Sequence, residues 1–346
     1  MKAALYLGNG RFEIVEKPVP QPLPGENLLE VSRVGICGTD VRIFQGHMQN
    51  RAGSGRILGH ESVAVVRETC RDGKFHPGDR VAVEPTLSCG TCPACRQNFT
   101  HACCHLRIMG IDVDGALQQF WAVPEHRCHR VPDTVSDDLA AMFEPLAVAV
   151  HSVRVAALHA HERVAVIGAG TVGLLIALLA RQAGAKVFVL EINPHRIEFA
   201  RRFQFDVLNP ETPGAQQHLA DGTRAEGMNV VFEASGSNGG ARAMTSLAAT
   251  RGRIILVGIH HCETPVDLHQ IFFSELSVQG VRAYSTQDFT EAIRLLAEQK
   301  LDLAPFISRL YPLEQLQDAV ELAASSAAAM KILIRLSLAA VGLAYL

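Results

Sequence analysis

Four cysteines that could share one metal ion lie within a short segment: Cys89, Cys92, Cys95 and Cys103. Glycine and proline residues between them favour tight turns. This spacing lets four thiolates close a tetrahedron with Zn–S distances of about 2.3 Å and no open position. The pattern predicts a structural zinc lobe over residues 86–105. An iron–sulfur cluster or a redox pair would also use close cysteines, and the adjacent Cys104 is an alternative fourth ligand.

A second group of metal-binding residue types lies nearer the N-terminus. Cys37 occurs in the stretch GICGTD, and His60 and Glu61 occur in GHE. A thiolate, an imidazole and a carboxylate form the ligand set of catalytic zinc sites, which keep a fourth position for water or substrate. Spacing alone does not show that the three meet, because isolated histidines and cysteines are often structural.

A nucleotide-binding pattern covers residues 163–191. An apolar β-rich run is followed by the G-x-G-x-x-G turn, a helix over residues 171–183 and a second apolar run. In such a turn the glycines permit a sharp bend, close approach of a pyrophosphate and packing of helix on strand, while the helix N-terminus attracts phosphate. The candidate coenzyme-binding residues are Gly168, Gly170, Thr171, Val172 and Gly173.

The coenzyme is predicted to be NAD because of an acidic residue that ends the second apolar run. Glu191 stands where a carboxylate accepts hydrogen bonds from the adenosine ribose and repels a 2′-phosphate. Arg196 lies five residues further on and would be the group to meet a phosphate if the coenzyme were NADP.

The elements that must position these residues follow two patterns. Short β-like runs fill residues 1 to about 85 and predict a β domain of barrel type. Strand and helix patterns then alternate, which predicts a parallel, doubly wound α/β sheet with later strands at residues 229–232, 253–257 and 276–281. Ligands gather at the carboxyl ends of parallel strands, so Val257 and Gly258 are expected near the nicotinamide ring. Helices over 289–298 and 313–324 and a strand over 331–334 complete the chain.

Composition limits the classes of function. The 346 residues are 48% hydrophobic and 19% charged, which is typical of a globular protein with about two domains. A net charge of −3 gives no reason to expect nucleic acid or an anionic membrane. The first residues do not form a signal peptide, and no apolar run is long enough to span a membrane. We therefore expect a cytoplasmic protein whose cysteines bind metal or pack in the core.

The order of these motifs resembles the zinc-dependent medium-chain dehydrogenases over nearly the whole chain, with FEPL at 143–146 as a further match. It is most similar to the polyol branch, which contains sorbitol, butanediol and galactitol dehydrogenases, with threonine 3-dehydrogenases as near relatives. The resemblance implies a GroES-like β-barrel catalytic domain of residues 1–152 and 286–346. It also implies an inserted Rossmann NAD-binding domain of residues 153–285 and assembly as a homodimer or homotetramer.

The resemblance also implies a ligand set and two zinc ions per chain. Cys37 and His60 match the first two catalytic ligands, Glu61 matches a ligating glutamate, and Glu144 matches a second glutamate that binds directly or through water. A thiolate and one carboxylate neutralise Zn²⁺, and a second carboxylate would make the site negative. We therefore expect Glu61 and Glu144 not to bind firmly at the same time.

Two further residues match family positions near the metal. Thr39 matches the hydroxyl of a proton relay, and Asp40 matches a carboxylate that accepts the second N–H of His60. Both are also common helix-capping and turn residues, so a purely local role is an equal alternative.

The chain departs from its relatives at two positions. Arg42 stands where many of them carry the histidine that completes the relay, with His47 or solvent as its candidate replacement. Thr86 stands where threonine dehydrogenases carry a histidine, which disfavours an amino-acid substrate.

The favoured function is oxidation by NAD of a secondary hydroxyl in a small-molecule polyol, sugar or sugar acid. An amino alcohol such as threonine or a vicinal diol such as butanediol is the alternative substrate, and a catalytically silent nucleotide-binding protein is the alternative class. Loops around Phe44, His47, Met109 and Phe273 are expected to decide among substrates. The apolar residues 337–346 are expected to pack at a subunit interface or to fray.

Overall fold

The computed structural model describes residues 1–48, 51–223, 225–260, 262–326 and 328–336. The chain divides into two compact units, one formed by Met1–Glu144 with Ser285–Leu346 and the other by Pro145–Tyr284. The first unit is therefore built from both ends of the sequence. The apolar segment 337–346, for which an interface was expected, lies outside the described residues.

The first part of the first unit is rich in short strands. They are β1 (Lys2–Gly8), β2 (Arg11–Glu16), β3 (Glu26–Gly35), β4 (Arg56–Ile57), β5 (Glu61–Glu68), β6 (Arg80–Val83), β7 (Thr86–Leu87), β8 (Arg107–Ile108), β9 (Phe120–Pro124) and β10 (Cys128–Arg130). Its helices are α1 (Gly38–Phe44), α2 (Pro93–Arg96) and α3 (Asp137–Ala140). Buried aliphatic side chains from β1, β3, β5 and β6 form its core.

The second unit alternates strands with helices, as the sequence pattern predicts. Its strands are β11 (Arg163–Ile167), β12 (Lys186–Leu190), β13 (Asp206–Leu208), β14 (Met228–Glu233), β15 (Ala248–Leu256) and β16 (Ser277–Gly280). The helices are α4 (Phe143–Ala156), which begins just before this unit, α5 (Thr171–Gln182), α6 (Pro194–Arg201), α7 (Ala215–Thr223), α8 (Asn238–Leu247) and α9 (Leu268–Phe273). All strand pairs are parallel in the order β13-β12-β11-β14-β15-β16. The order reverses at β11, where the glycine turn begins, and ligands bind at such a point in open α/β sheets.

The returning segment completes the first unit with α10 (Thr286–Ala297), β17 (Ile307–Pro312), α11 (Leu316–Ser325) and β18 (Lys331–Arg335). Helix α10 begins three residues before the predicted start, because Ser285 and Asp288 form a reciprocal capping box. Strand β18 pairs with β3, so the larger sheet of this unit runs β10-β6-β5-β3-β18-β17, and β9 also pairs with β3. Within the described ranges, no helix has the length and apolarity needed to cross a membrane.

Candidate active site and metal centres

Three strands of the first unit bring the candidate catalytic residues together. Strand β3 lies between β5 and β18 and runs antiparallel to both. The end of β3 therefore meets the beginnings of its two neighbours. Cys37 follows β3, Glu61 opens β5 directly after His60, and Lys331 opens β18. Residues separated by up to about 300 positions thus meet at one end of a sheet.

Cys37, His60 and Glu61 each offer a ligand atom, and these atoms all lie within 4.8 Å of one another. His60 and Glu61 are buried and Cys37 is partly exposed, so the group is open on the thiol side. Glu144, in the first turn of α4, is not in this group, but its charge raises the pKa of both His60 and Lys331. The donor set and its compactness fit one zinc ion.

Gly35 makes room for the carboxylate of this group. It pairs with Glu61 across β3 and β5, and a Cβ at Gly35 would lie 2.1 Å from Glu61 Oε2. Any side chain here would therefore displace the carboxylate. Gly35, the first glycine of the GICGTD motif, thus has a packing role that the motif alone does not reveal.

Asp40 caps α1 and lies near His60 without a hydrogen bond to it. Its Oδ2 accepts a 2.8 Å hydrogen bond from the backbone N–H of Cys37 in a capping box at the start of α1. Its Oδ1 lies 3.7 Å from Nδ1 of His60. Burial lowers the pKa of His60, but Asp40 and Cys37 outweigh it and hold that pKa well above its usual value. Thr39 is partly exposed in the first turn of α1.

Lys331 belongs to this site and was missed by sequence reasoning. Its ammonium contacts both carboxylate oxygens of Glu61, with 2.7 Å to Oε1, and donates to the carbonyl of Ile36 at 3.1 Å. Burial lowers the pKa of Lys331, but Glu61 and Cys37 raise it by more, so the side chain is a cation. The only signal in the sequence was a charged residue directly before the apolar run Ile332–Ile334.

Lys331 changes the charge sum of the site. The expectation that a second carboxylate would make the site negative counted Cys37, Glu61 and Glu144 against Zn²⁺ and omitted a cation. With Lys331 included, Zn²⁺, one thiolate and two carboxylates sum to zero. Charge alone therefore does not forbid both glutamates from approaching the metal.

The four-cysteine segment has the geometry of a closed metal site. Sγ of Cys103 lies 3.5 Å from Sγ of Cys89 and 3.8 Å from that of Cys92, and Cys89 and Cys95 are separated by 4.0 Å. Four sulfurs at about 2.3 Å from a zinc ion are about 3.8 Å apart. Cys103 is buried within the group, whereas Cys104 is exposed.

Backbone amides support the thiolate form of these cysteines. Sγ of Cys89 accepts from the N–H of Cys92 at 3.4 Å, and Sγ of Cys103 accepts from the N–H groups of Cys89 and His105 at 3.3 Å. Backbone hydrogen bonds lower the pKa of Cys89 to about 7 and that of Cys92 to about 5. Burial raises the pKa of Cys95 to about 12. Metal binding would release the remaining thiol protons.

The glycine turn of the second unit has the shape of a pyrophosphate cradle. Gly168 has φ of +98°, and a Cβ at Gly173 would lie 2.0 Å from the carbonyl oxygen of Gly168. A Cβ at Gly170 would meet no protein atom within 4 Å. Gly168 and Gly173 are thus required by the fold, whereas Gly170 faces open space at the start of α5, where Thr171 and Val172 form the first turn. This arrangement fits a bound dinucleotide.

Glu191 is fixed beside this turn by backbone groups. Its Oε2 accepts from the N–H of Ala169 at 2.8 Å, and its Oε1 accepts from the N–H groups of Ile192 and Asn193 at 2.8 and 2.9 Å. Arg196 lies 4.0 Å from Oε2. The carboxylate is therefore held in one position at the carboxyl end of β12.

A buried carboxylate, Glu233, lies beside the predicted Val257 and Gly258. The carbonyl of Glu233 accepts from the N–H groups of both residues, at 2.9 and 2.8 Å. Its side chain accepts from the backbone N–H of Gly236 and lies 3.0 Å from Nε2 of His260. Sequence reasoning noted the strand end but not this network, which holds the loops after β14 and β15 together.

Thr86 is part of another buried carboxylate network. Glu84 accepts from Thr86 Oγ1 at 2.8 Å and from Arg127 at 2.6 Å, and lies 3.1 Å from Nε2 of His129. Burial raises the pKa of Glu84, but the hydrogen bond to His129, the charge of Arg127 and the bond from Thr86 lower it by more. Thr86 is thus committed to a structural interaction.

Comparisons with known proteins find relatives for both parts of the chain. Residues 23–133 match the alcohol dehydrogenase GroES-like domain and residues 171–298 match the zinc-binding dehydrogenase domain. The chain is 40% identical to 2-dehydro-3-deoxy-L-galactonate 5-dehydrogenase of Pseudoalteromonas atlantica, with coverage of 92% of this chain and 94% of the relative. It is 36% identical to L-threonine 3-dehydrogenase of Streptomyces avermitilis, with coverage of 86% of this chain and 88% of the relative.

Solved structures share the fold and carry either nicotinamide coenzyme. An Escherichia coli alcohol dehydrogenase in complex with NADH superposes with a TM-score of 0.90 at 25% identity, over 97% of this chain and 99% of that one. A zinc-binding dehydrogenase of Sinorhizobium meliloti bound to NADP superposes with a TM-score of 0.88 at 28% sequence identity, over 96% of this chain and 98% of that one. The predicted GroES-like and Rossmann architecture is confirmed. The chain belongs to the zinc-dependent medium-chain dehydrogenases and is a zinc-containing oxidoreductase of the alcohol and polyol type that uses a nicotinamide coenzyme.

Proposed function

We propose that this protein oxidises a secondary hydroxyl of a sugar acid or a related polyol, with NAD as hydride acceptor. The observation that carries the proposal is the close group of Cys37, His60 and Glu61, whose ligand atoms lie within 4.8 Å of one another. These three donors fit a zinc ion with one open position. The alcohol carbon becomes a carbonyl, hydride passes to the coenzyme and one proton is released.

Each residue of this site has a separate proposed role. When bound, zinc supplies Lewis acidity to a substrate hydroxyl and the nicotinamide ring supplies a hydride acceptor. Thr39 presents a hydroxyl that can pass the proton outward, two residues from Cys37. Asp40 is the carboxylate placed to accept a hydrogen bond from His60, and Glu144 is the carboxylate available as a further ligand. Cys89, Cys92, Cys95 and Cys103 would hold a second, structural zinc.

Arg42 is proposed to bind the carboxylate of a sugar-acid substrate. It lies one turn beyond the start of α1 and is half-buried, close enough to Cys37 for the thiolate to raise its pKa against a larger lowering by burial. Arginine binds carboxylates in a bidentate manner. The 40% identical relative is named for a sugar acid. We expect Arg42→Gln to raise KM for acidic substrates by at least about tenfold while leaving KM for neutral polyols within about twofold.

NAD is proposed as the coenzyme in preference to NADP. The fixed carboxylate of Glu191 can accept hydrogen bonds from ribose hydroxyls and would repel a 2′-phosphate. Arg196 is too close to Glu191, at 4.0 Å, to act as an independent phosphate-binding cation. We expect Glu191→Ala to reduce the preference for NAD over NADP, measured as the ratio of the two kcat/KM values.

A homodimer is proposed through the edge of the second unit. Strand β16 ends the sheet and all its residues are exposed. The neighbouring α9 exposes Leu268, Phe272 and Phe273 by 73%, 75% and 68%. An exposed edge strand beside apolar side chains is suited to pairing with a second copy. Phe272→Asp should therefore reduce the molecular mass seen by light scattering, whereas Phe99→Asp, at another exposed phenylalanine, should not.

Threonine oxidation is the second candidate, because a threonine 3-dehydrogenase is 36% identical. The position at which threonine dehydrogenases carry a histidine is Thr86 here, and its hydroxyl is bound to Glu84. This contact disfavours a substrate role for that position.

A substrate panel with metal analysis tests the proposal. NADH formation should be measured with sugar acids, neutral polyols, butanediol and threonine, on protein shown to bind NADH and to contain about two zinc ions per chain. We expect sugar acids to give the highest kcat/KM. Highest activity on threonine would support the second candidate. Coenzyme and zinc binding without turnover of any substrate would refute both.

A further inference from the structure

Lys331 is a buried cation that contacts a proposed metal ligand, Glu61. Lys331 and Glu61 are 3% and 0% exposed. A lysine is almost never so buried without a charged partner. Here the ammonium makes three contacts, two with the carboxylate of Glu61 and one with the carbonyl of Ile36.

The contact with Lys331 leaves fewer lone pairs of the Glu61 carboxylate available to a metal ion. An ionised carboxylate offers about four lone-pair positions on two oxygens. Lys331 contacts both oxygens, and the position facing Gly35 is closed by the backbone of β3, since a Cβ there would overlap Oε2. A metal ion at the Cys37–His60–Glu61 group must therefore share Glu61 with Lys331.

We propose that Lys331 is a positioning residue that competes with the metal for Glu61 and so keeps this glutamate a releasable ligand. The inference rests on the proposed role of Glu61 as a zinc ligand. Lys331 contributes one positive charge next to the metal, which weakens cation binding, and it provides a partner for the carboxylate whenever Glu61 leaves the metal. A ligand with a ready partner can yield its position to substrate or water at low cost.

A purely structural ion pair between β5 and β18 is the competing explanation. Such a pair would stabilise zinc-loaded and zinc-depleted protein equally and would not affect metal affinity. The two explanations therefore differ in zinc binding, a property that does not depend on turnover.

The experiment measures the zinc dissociation constant of the Cys37–His60–Glu61 group by chelator competition, under conditions in which the four-cysteine site keeps its zinc. It also measures the melting temperature with zinc bound to the Cys37–His60–Glu61 group and with that zinc removed. Lys331→Met should bind this zinc at least about tenfold more tightly, because Glu61 is left without its cation. Its melting temperature should fall chiefly in the zinc-depleted protein. Lys2→Met is the control, since Lys2 makes an exposed 2.7 Å pair with Glu314 in the same unit.

Two further variants keep the test decisive. Lys331→Gln removes the charge but retains a hydrogen-bond donor, and it should also tighten zinc binding if Lys331→Met is too unstable to isolate. The double variant Lys331→Met with Glu61→Gln should recover the stability of the zinc-depleted protein. Unchanged or weaker zinc binding in Lys331→Met or Lys331→Gln overturns the inference. Unchanged zinc affinity in Glu61→Gln alone would instead refute the assignment of Glu61 as a ligand.

Discussion

Gly35 offers the sharpest test of how the catalytic group is built. The perturbation is Gly35→Ala, which adds one methyl group in the last position of β3. That Cβ would lie 2.1 Å from Oε2 of Glu61, and real Cβ atoms essentially never approach other atoms within 3.0 Å. The carboxylate, or β3 itself, must therefore shift by about 1 Å.

The magnitude follows from what Glu61 would lose. A displacement of about 1 Å disturbs the contact between Oε2 and the ammonium of Lys331. Breaking a buried ion pair costs about 3–5 kcal/mol. One kcal/mol corresponds to about 2–4 °C in a unit of roughly 200 residues, so the melting temperature should fall by about 6–20 °C.

The assay is thermal unfolding together with zinc analysis. Gly38→Ala is the matched control, because a Cβ at Gly38 meets nothing within 4 Å and the residue begins a helix, where alanine is favourable. We expect Gly35→Ala to lose stability and to bind the zinc of the Cys37–His60–Glu61 group more weakly, and Gly38→Ala to keep both properties. A Gly35→Ala protein that melts within about 2 °C of wild type and binds this zinc as tightly as wild type would refute this account of the site.

Three further outcomes are expected. Cys103→Ser should lose one zinc and more than about 4 kcal/mol of stability, whereas Cys104→Ser should keep the zinc count measured by metal analysis. Gly170→Ala should fold normally but bind NADH at least about tenfold more weakly in fluorescence titration, whereas Gly173→Ala should lose melting temperature. The pKa of Glu84 is lowered in the folded protein, so its stabilisation is present above the ordinary value of 4.5 and is lost as pH falls through the folded value. Glu84→Gln should therefore destabilise the protein at pH 7 and show a smaller further loss of melting temperature between pH 5 and 3; an unchanged acid profile would contradict this.

Local patterns were sufficient for the parts of the protein in which neighbouring residues act together. The four-cysteine lobe and the glycine turn each lie within about 20 residues, where spacing limits the possible geometry. The alternation of strand and helix patterns likewise predicted the parallel sheet of the second unit, although β13 was not predicted and β15 begins five residues before the predicted strand at 253–257. Helix α10 was placed a few residues too late because its capping box was not recognised.

Long-range strand pairing decided what spacing could not. The meeting of Cys37 with His60 and Glu61 depends on the antiparallel register of β3 and β5. Lys331 reaches Glu61 only because β18, near the other end of the described chain, pairs with the opposite side of β3. Nothing in the residues around Lys331 indicates its partner, so the charge balance of the site was invisible in the sequence.

The sequence by itself determined the family of the protein, its two domain types, its zinc and nicotinamide chemistry and the residues that are candidates for both. The family and the two domain types follow from the resemblance carried by the order of the motifs. The zinc and nicotinamide candidates follow from residue types at characteristic spacings, which bond lengths and turn geometry limit. Only the tertiary structure decided which carboxylate contacts which cation and which glycine makes room for a side chain. Such contacts depend on the register between strands distant in sequence, because a shift of one residue would turn every side chain to the other face of the sheet.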